Sequence, residues 1–173
     1  MRRWMFIPTL LLFSFSFAQI ASAHGGEESS GLSNIQVLII SGASSLVFFI
    51  LFVVVKKYDV IVARSSLYSL VLFTSTVHIL LGLDESLLIV GGVGALTVTF
   101  FPLVSNFSTR IHRIADFALA LIVLSMFIGY FVYNHDLHYI LEDYLGIITK
   151  LVELSILFIL AKQHAFAGRK TEA

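Results

Sequence analysis

Long apolar runs separated by short polar breaks organise this chain. Beyond the first 23 residues there are five such runs, at about Asn34–Val55, Ser66–Leu83, Leu87–Val104, Ala115–Tyr133 and Leu145–Ala161. Each is close to the roughly 20 residues a helix needs to cross a hydrocarbon layer. The runs are continuous rather than alternating, which argues against the strands of a membrane barrel. The pattern therefore predicts an all-α integral membrane protein, a bundle of five transmembrane helices filling residues 34–161. Composition agrees. At 58% hydrophobic residues and a mean hydropathy of +0.94, a domain of this size has more apolar surface than it could hide from water.

The first 23 residues follow a different rule. Arg2 and Arg3 make a positive start, Trp4 to Phe17 is apolar, and Ala21-Ser22-Ala23 is a small-x-small cleavage site. This predicts a cleaved secretory signal peptide at 1–23, the alternative being an uncleaved first helix. The mature chain would begin at His24, with residues 24–33 as an extracytoplasmic tail. Lys56, Lys57 and Arg64 follow the first run, Arg110 and Arg113 the third, and Lys162, Arg169 and Lys170 the fifth. The other breaks carry no Lys or Arg and hold Glu27, Glu28, Asp84, Glu85, Asp136, Glu142 and Asp143. The positive-inside rule then puts the N-terminus outside and residues 162–173 in the cytoplasm. The expected location is the plasma membrane of a prokaryote, crossed several times. An Asn-Phe-Ser sequon at Asn106 falls on the cytoplasmic side and has no bearing on function.

Several classes of function are disfavoured. Zero net charge and no basic surface argue against nucleic acid as a partner. The absence of cysteine removes disulfides, thiolate metal sites, iron–sulfur clusters and covalently attached c-type haem. A haem b held between two histidines needs both at matched depth, and His78 alone is well inside a run. No nucleophile–base pair or cofactor loop marks an enzyme.

Four groups of candidate ligands gather at the outer side. His24, once terminal, could chelate copper or nickel through its amine and ring together, although the same residues also suit a solvated tail. His135, His138 and Glu142 lie at i, i+3 and i+7, one face if helical, which fits either a shared metal or a polar interfacial helix. His78 sits about five residues inside its run, roughly 7 Å deep at 1.5 Å per residue, with Asp84 and Glu85 at the mouth. His78 and Glu85, seven residues apart, lie on one face but about 10 Å apart along an intact helix, and could share an ion only if the helix unwinds near Gly82. Lys150 and Glu153, in the fifth run, are expensive in lipid and should face the bundle interior. They can pair with each other, or Glu153 can flank a polar path with His78 while Lys150 acts as gate or counter-charge. The small residues Gly91, Gly92, Gly94 and Ala95, and Ser41 and Ser45 around Gly42 and Ala43, suit close helix packing.

The segment His78-Ile-Leu-Leu-Gly82-Leu-Asp84-Glu85-Ser-Leu resembles the signature of the hydrogenase/urease accessory permease family, the HupE/UreJ type. That signature runs roughly His-Pro-x-x-Gly-x-Asp-His-x-Leu, with Ile in place of Pro in one branch. His78, Gly82 and Asp84 match position for position; the second histidine is Glu85 here, and the motif lies in the second mature span rather than the first. The resemblance implies a small multi-span permease for nickel or cobalt, with the motif's His and Asp on the metal path. Together these readings predict a protein that handles a divalent transition metal (Ni or Co, with Cu also open) as substrate or ligand, by way of His78, Asp84, Glu85, His135, His138, Glu142 and His24, with Glu153 and Lys150 deeper. The alternative is a non-catalytic accessory subunit of a larger membrane complex, such as a copper-dependent oxidase or monooxygenase. The expected partners are membrane lipid and, through the small-residue faces, other membrane subunits.

Overall fold

A computed structural model describes residues 32–55, 64–82, 86–104, 108–133 and 142–169. All regular structure among them is helical: α1 (Asn34–Val55), α2 (Ser65–Leu81), α3 (Ser86–Val104), α4 (Thr109–Tyr133) and α5 (Tyr144–Arg169). Within these, α1, α4 and α5 contain stretches long and apolar enough to cross a membrane, Asn34–Val54, Thr109–Val132 and Tyr144–His164, while α2 and α3 are shorter apolar helices. The predicted all-helical, membrane-type fold is thus present at this level. The signal segment 1–23 and the tail at His24 lie outside the described residues.

Local chemistry explains where the helices start and stop. Ser33 and Gln36 form a reciprocal capping box before α1, with Ser33 N donating to Gln36 Oε1 at 2.9 Å and Gln36 N to Ser33 Oγ at 3.4 Å. Asp143 caps α5, accepting from Gly146 N at 2.9 Å. Gly82 closes α2, its amide bonded to the His78 carbonyl at 2.9 Å. Two helices outrun their apolar stretches: α4 begins at Thr109 rather than Ala115, and α5 continues to Arg169 beyond Ala161. Hydropathy reports where lipid ends, whereas the backbone ladder continues into water until a breaker intervenes.

Helices α2, α3, α4 and α5 form a closed ring in which each packs on the next and α5 returns to α2; α1 leans chiefly on α2 from outside. Nearly all of α2 is buried, including Ser65, Ser69, Thr74, Ser75, Thr76 and His78. A helix so rich in hydroxyls can be central because those groups bond locally or across an interface. Thr76 Oγ1 donates to the Leu72 carbonyl at 2.7 Å, and Ser45 of α1 and Ser69 of α2 clasp each other, Oγ to Oγ at 2.7 Å, each also within 2.9 Å of the other's carbonyl. The glycine-rich stretch of α3 has the packing role its composition predicts. A Cβ on Gly92 would lie 2.7 Å from the Ser75 carbonyl oxygen and 3.2 Å from His78 Cβ, so only glycine lets α3 approach α2 this closely. Outside, Ile39, Val54, Leu87, Val90, Phe117 and Phe158 are more than half exposed, as suits a lipid-facing surface.

Along the ring the interior is layered. One end holds His78, Lys150 and Glu153. The middle is an apolar layer of Leu67, Val71, Ala95, Leu119, Val123, Ile156 and Leu160, contributed by all four ring helices. The other end holds Arg64 and Asp116.

Candidate functional site

His78 and Glu153 come together across the α2–α5 interface. His78 Nε2 stands 3.5 Å from Glu153 Oε1, with Glu153 fully buried and His78 nearly so. Two contacts fix the imidazole. Nδ1 is 2.8 Å from the Thr74 carbonyl one turn back, and because a carbonyl can only accept, Nδ1 carries the proton and Nε2 presents its lone pair towards Glu153 in the neutral ring. Thr74 Oγ1 donates to Glu153 Oε1 at 3.2 Å, tying the same carboxylate oxygen to α2.

Lys150 holds the other oxygen. Its Nζ donates to Glu153 Oε2 at 2.7 Å and to the Met126 carbonyl of α4 at 3.0 Å, and lies 5.2 Å from the centre of the Tyr130 ring. Tyr130 in turn donates to Asp143 Oδ2 at 3.0 Å. Lys150 and Glu153 thus pair directly, as one of the two readings of the sequence had it, and the carboxylate also faces His78. The cluster links three helices in a bundle where an unpaired charge would be prohibitive.

The geometry of the free pair is informative. Two metal–ligand bonds of about 2.1 Å at angles between 90° and 110° set the two donor atoms roughly 3.0–3.4 Å apart. The separation of 3.5 Å between Nε2 and Oε1 is close to that bite distance and longer than a hydrogen bond would choose. Among the described residues no three His, Asp or Glu side chains lie together, so this pair would need hydroxyl, carbonyl or water oxygens to complete a coordination shell. Asp84, Glu85, His135 and His138, expected at the mouth of the site, lie outside the described residues, as does His24. Glu142 is exposed immediately before α5.

A second polar cluster sits at the opposite end of the ring. Arg64, just before α2, makes a two-pronged pair with Asp116 of α4, Nη1 to Oδ1 at 3.0 Å and Nη2 to Oδ2 at 2.9 Å. Partial burial alone would lower the Arg64 guanidinium, but the adjacent Asp116 carboxylate outweighs it and holds the group above its usual value, so it stays charged. Arg64, Tyr68, Thr99, Pro102, His112 and Asp116 line a small cavity with about 10 Å³ of free volume, about enough for one water-sized occupant. The Thr99 hydroxyl is buried with no hydrogen-bond partner among the described residues.

Sequence reasoning underrated four of these residues. Thr74 carries a signal, its i, i+4 spacing from His78. His112 and Asp116 carry the same signal on α4, in a segment whose Arg110 and Arg113 served only to orient the chain. Arg64 served only to orient the chain, because its partner is fifty-two residues away. The chain matches no protein-family model, no curated protein and no solved structure.

Proposed function

We propose that the chain is a five-span membrane protein that handles a divalent transition-metal cation, as a permease or a relative of one, through the His78–Glu153 pair. The observation that carries this reading is the Nε2 of His78 facing a fully buried carboxylate oxygen at 3.5 Å while Nδ1 turns to the Thr74 carbonyl. Imidazole and carboxylate together suit nickel or cobalt, and copper as a further option. Asp84 and Glu85, with His135, His138, Glu142 and His24, would gather the cation at the outer face, and the resemblance of the His78–Glu85 segment to the HupE/UreJ-type permeases supports the same assignment. An arriving cation competes with the Lys150 ammonium for Glu153, so Lys150 is the internal counter-charge of the metal-free state. The orientation is N-terminus out, in the plasma membrane of a prokaryote, after removal of residues 1–23.

The test is uptake of radioactive nickel and cobalt by cells expressing the chain, together with the metal content of the purified protein. His78→Ala and Glu153→Gln should each abolish uptake above background, whereas Ser125→Ala on the exposed face of α4 should not. Unchanged uptake in both site variants would rule the reading out.

A second reading has its own observation. Lys150 is engaged at once by Glu153, the Met126 carbonyl and the Tyr130 ring, as a strut joining α4 and α5 would be. On that reading the chain is a non-catalytic subunit of a larger membrane complex. Large partner subunits retained through purification, with metal uptake indifferent to deletion of the chain, would favour it.

A further inference from the structure

The two ends of the ring are built to one chemical plan. At the first, a carboxylate (Glu153) is held by a fixed cation (Lys150) beside a histidine (His78) and a threonine (Thr74). At the second, a carboxylate (Asp116) is held by a fixed cation (Arg64), and a histidine (His112) and a threonine (Thr99) line the same small cavity. The apolar layer separates them. Arg64 and His78 are fourteen residues apart along α2, about 21 Å at 1.5 Å per residue.

We propose that the cavity beside Arg64 is a second binding site for a divalent cation, with Asp116, His112 and Thr99 as ligands and Arg64 as the resident cation that fills their charge requirement until a metal arrives. This rests on the reading of the first cluster as a cation site and extends it to the inner end of the path. Three features point to a ligand. The buried Thr99 hydroxyl lines the cavity and has no hydrogen-bond partner among the described residues, although buried hydroxyls are normally paired. His112 and Asp116 stand at i, i+4 on one face of α4 and line the same cavity. Pro102 has no amide to give, so the Val98 carbonyl beside the cavity lacks the donor that the next helical turn would supply. A free volume near 10 Å³ admits a single ion or water and nothing larger. With only two strong ligands the site would bind weakly, as a station on a path should, since an ion must also leave.

The experiment uses the full chain in lipid nanodiscs, purified by a tag free of histidine, in a background where His24, His135 and His138 are replaced by alanine. Nickel binding is measured by equilibrium dialysis at constant pH. Arg64→Gln, which removes the resident cation, should add one bound Ni²⁺ per chain or tighten binding at least roughly tenfold, the equivalent of about 1.4 kcal/mol. Asp116→Asn added to Arg64→Gln should return binding to the parent level, and His112→Ala should weaken the gained site. His78→Ala added to Arg64→Gln should leave the gained ion in place, which separates this site from the one at Glu153. A folded Arg64→Gln protein that gains no nickel overturns the proposal, as does a gained ion that survives Asp116→Asn. Should Arg64→Gln fail to fold, the parent background carries the test at saturating nickel. Asp116→Asn should then remove one weakly bound Ni²⁺ per chain that His78→Ala leaves in place; an unchanged nickel count in Asp116→Asn overturns the proposal.

Discussion

Replacing Lys150 with methionine removes a cation while keeping an unbranched chain of similar length. What it leaves behind is Glu153, fully buried, with Thr74 Oγ1 as its remaining direct hydrogen-bond donor. The lost interactions are the 2.7 Å bond to Oε2, the 3.0 Å bond to the Met126 carbonyl and the contact with the Tyr130 ring. Hydrogen bonds to charged groups contribute about 1.5–3 kcal/mol each, and breaking one side of a buried ion pair costs about 3–5 kcal/mol, most of it the stranded charge. Lys150→Met should therefore destabilise the bundle by about 3–5 kcal/mol. Lys150→Met with Glu153→Leu strands no charge and should recover to within about 1–2 kcal/mol of the parent. The assay is loss of far-ultraviolet helical signal as SDS is titrated into the detergent-solubilised chain. If Lys150→Met costs less than about 1 kcal/mol, or the double variant is weaker than both singles, the pair is not holding the bundle in this way. Nickel adds a second readout. If a metal can take the place of the ammonium, Ni²⁺ at one hundred times its dissociation constant should restore about 2.7 kcal/mol to Lys150→Met, whereas a pure strut would show no rescue.

Three other perturbations read different parts of the architecture. Gly92→Ala should lower the unfolding midpoint, because its Cβ would meet the Ser75 carbonyl at 2.7 Å, while Gly42→Ala and Gly129→Ala, which meet nothing within 4 Å, should be neutral or gain up to about 1 kcal/mol in the same titration. Ser45→Ala with Ser69→Ala should cost roughly 0.6 kcal/mol per lost bond, and should loosen α1 from the ring, seen as faster amide exchange in α1 than in α4. Thr74→Val removes the hydroxyl that ties Glu153 to α2 but keeps the carbonyl that fixes His78, so the ring's nitrogen NMR signals should retain a protonated Nδ1 while nickel binding weakens.

The apolar runs made the bundle legible because burying such stretches in lipid overrides every weaker local preference. Charged residues in the fifth run had to face inward for the same reason, and Glu153 and Lys150 do. Pairings across helices were legible only in part: Glu153 beside His78 stood as one of two alternatives, and Arg64 with Asp116 was not foreseen. Arg64 with Asp116 and His78 with Glu153 depend on which faces of which helices meet, and an all-apolar helix has no polar stripe to announce its inward side. The i, i+4 pairs Thr74–His78 and His112–Asp116 were the accessible local signals, since such residues share a face before any tertiary contact is known. Glycine helped once more: Gly92 marked the α2–α3 contact beside His78, but nothing in the stretch Gly91–Ala95 said which neighbour would press against it.

The layer between the two clusters limits how they can work together. A bare ion moved from water into a medium as apolar as Leu67, Val71, Leu119, Val123, Ile156 and Leu160 faces a cost of order 20 kcal/mol in the idealised limit. If the chain transports a cation as proposed, none could pass from Glu153 to Asp116 while the ring keeps this arrangement, so transport would require the helices to part. On the proposed reading the resident cations serve that movement. With Lys150 on Glu153 and Arg64 on Asp116, each carboxylate is neutralised when no metal is present, and the empty protein can change shape without dragging an unpaired charge through lipid. A metal that displaced Lys150 would also release its grip on the Met126 carbonyl and the Tyr130 ring of α4, one of the contacts, beside Tyr130 to Asp143, that hold α4 against α5 at that end. Binding and loosening of the bundle are then one event, and α4, which also carries Asp116 and His112, is the helix through which the first site would reach the second.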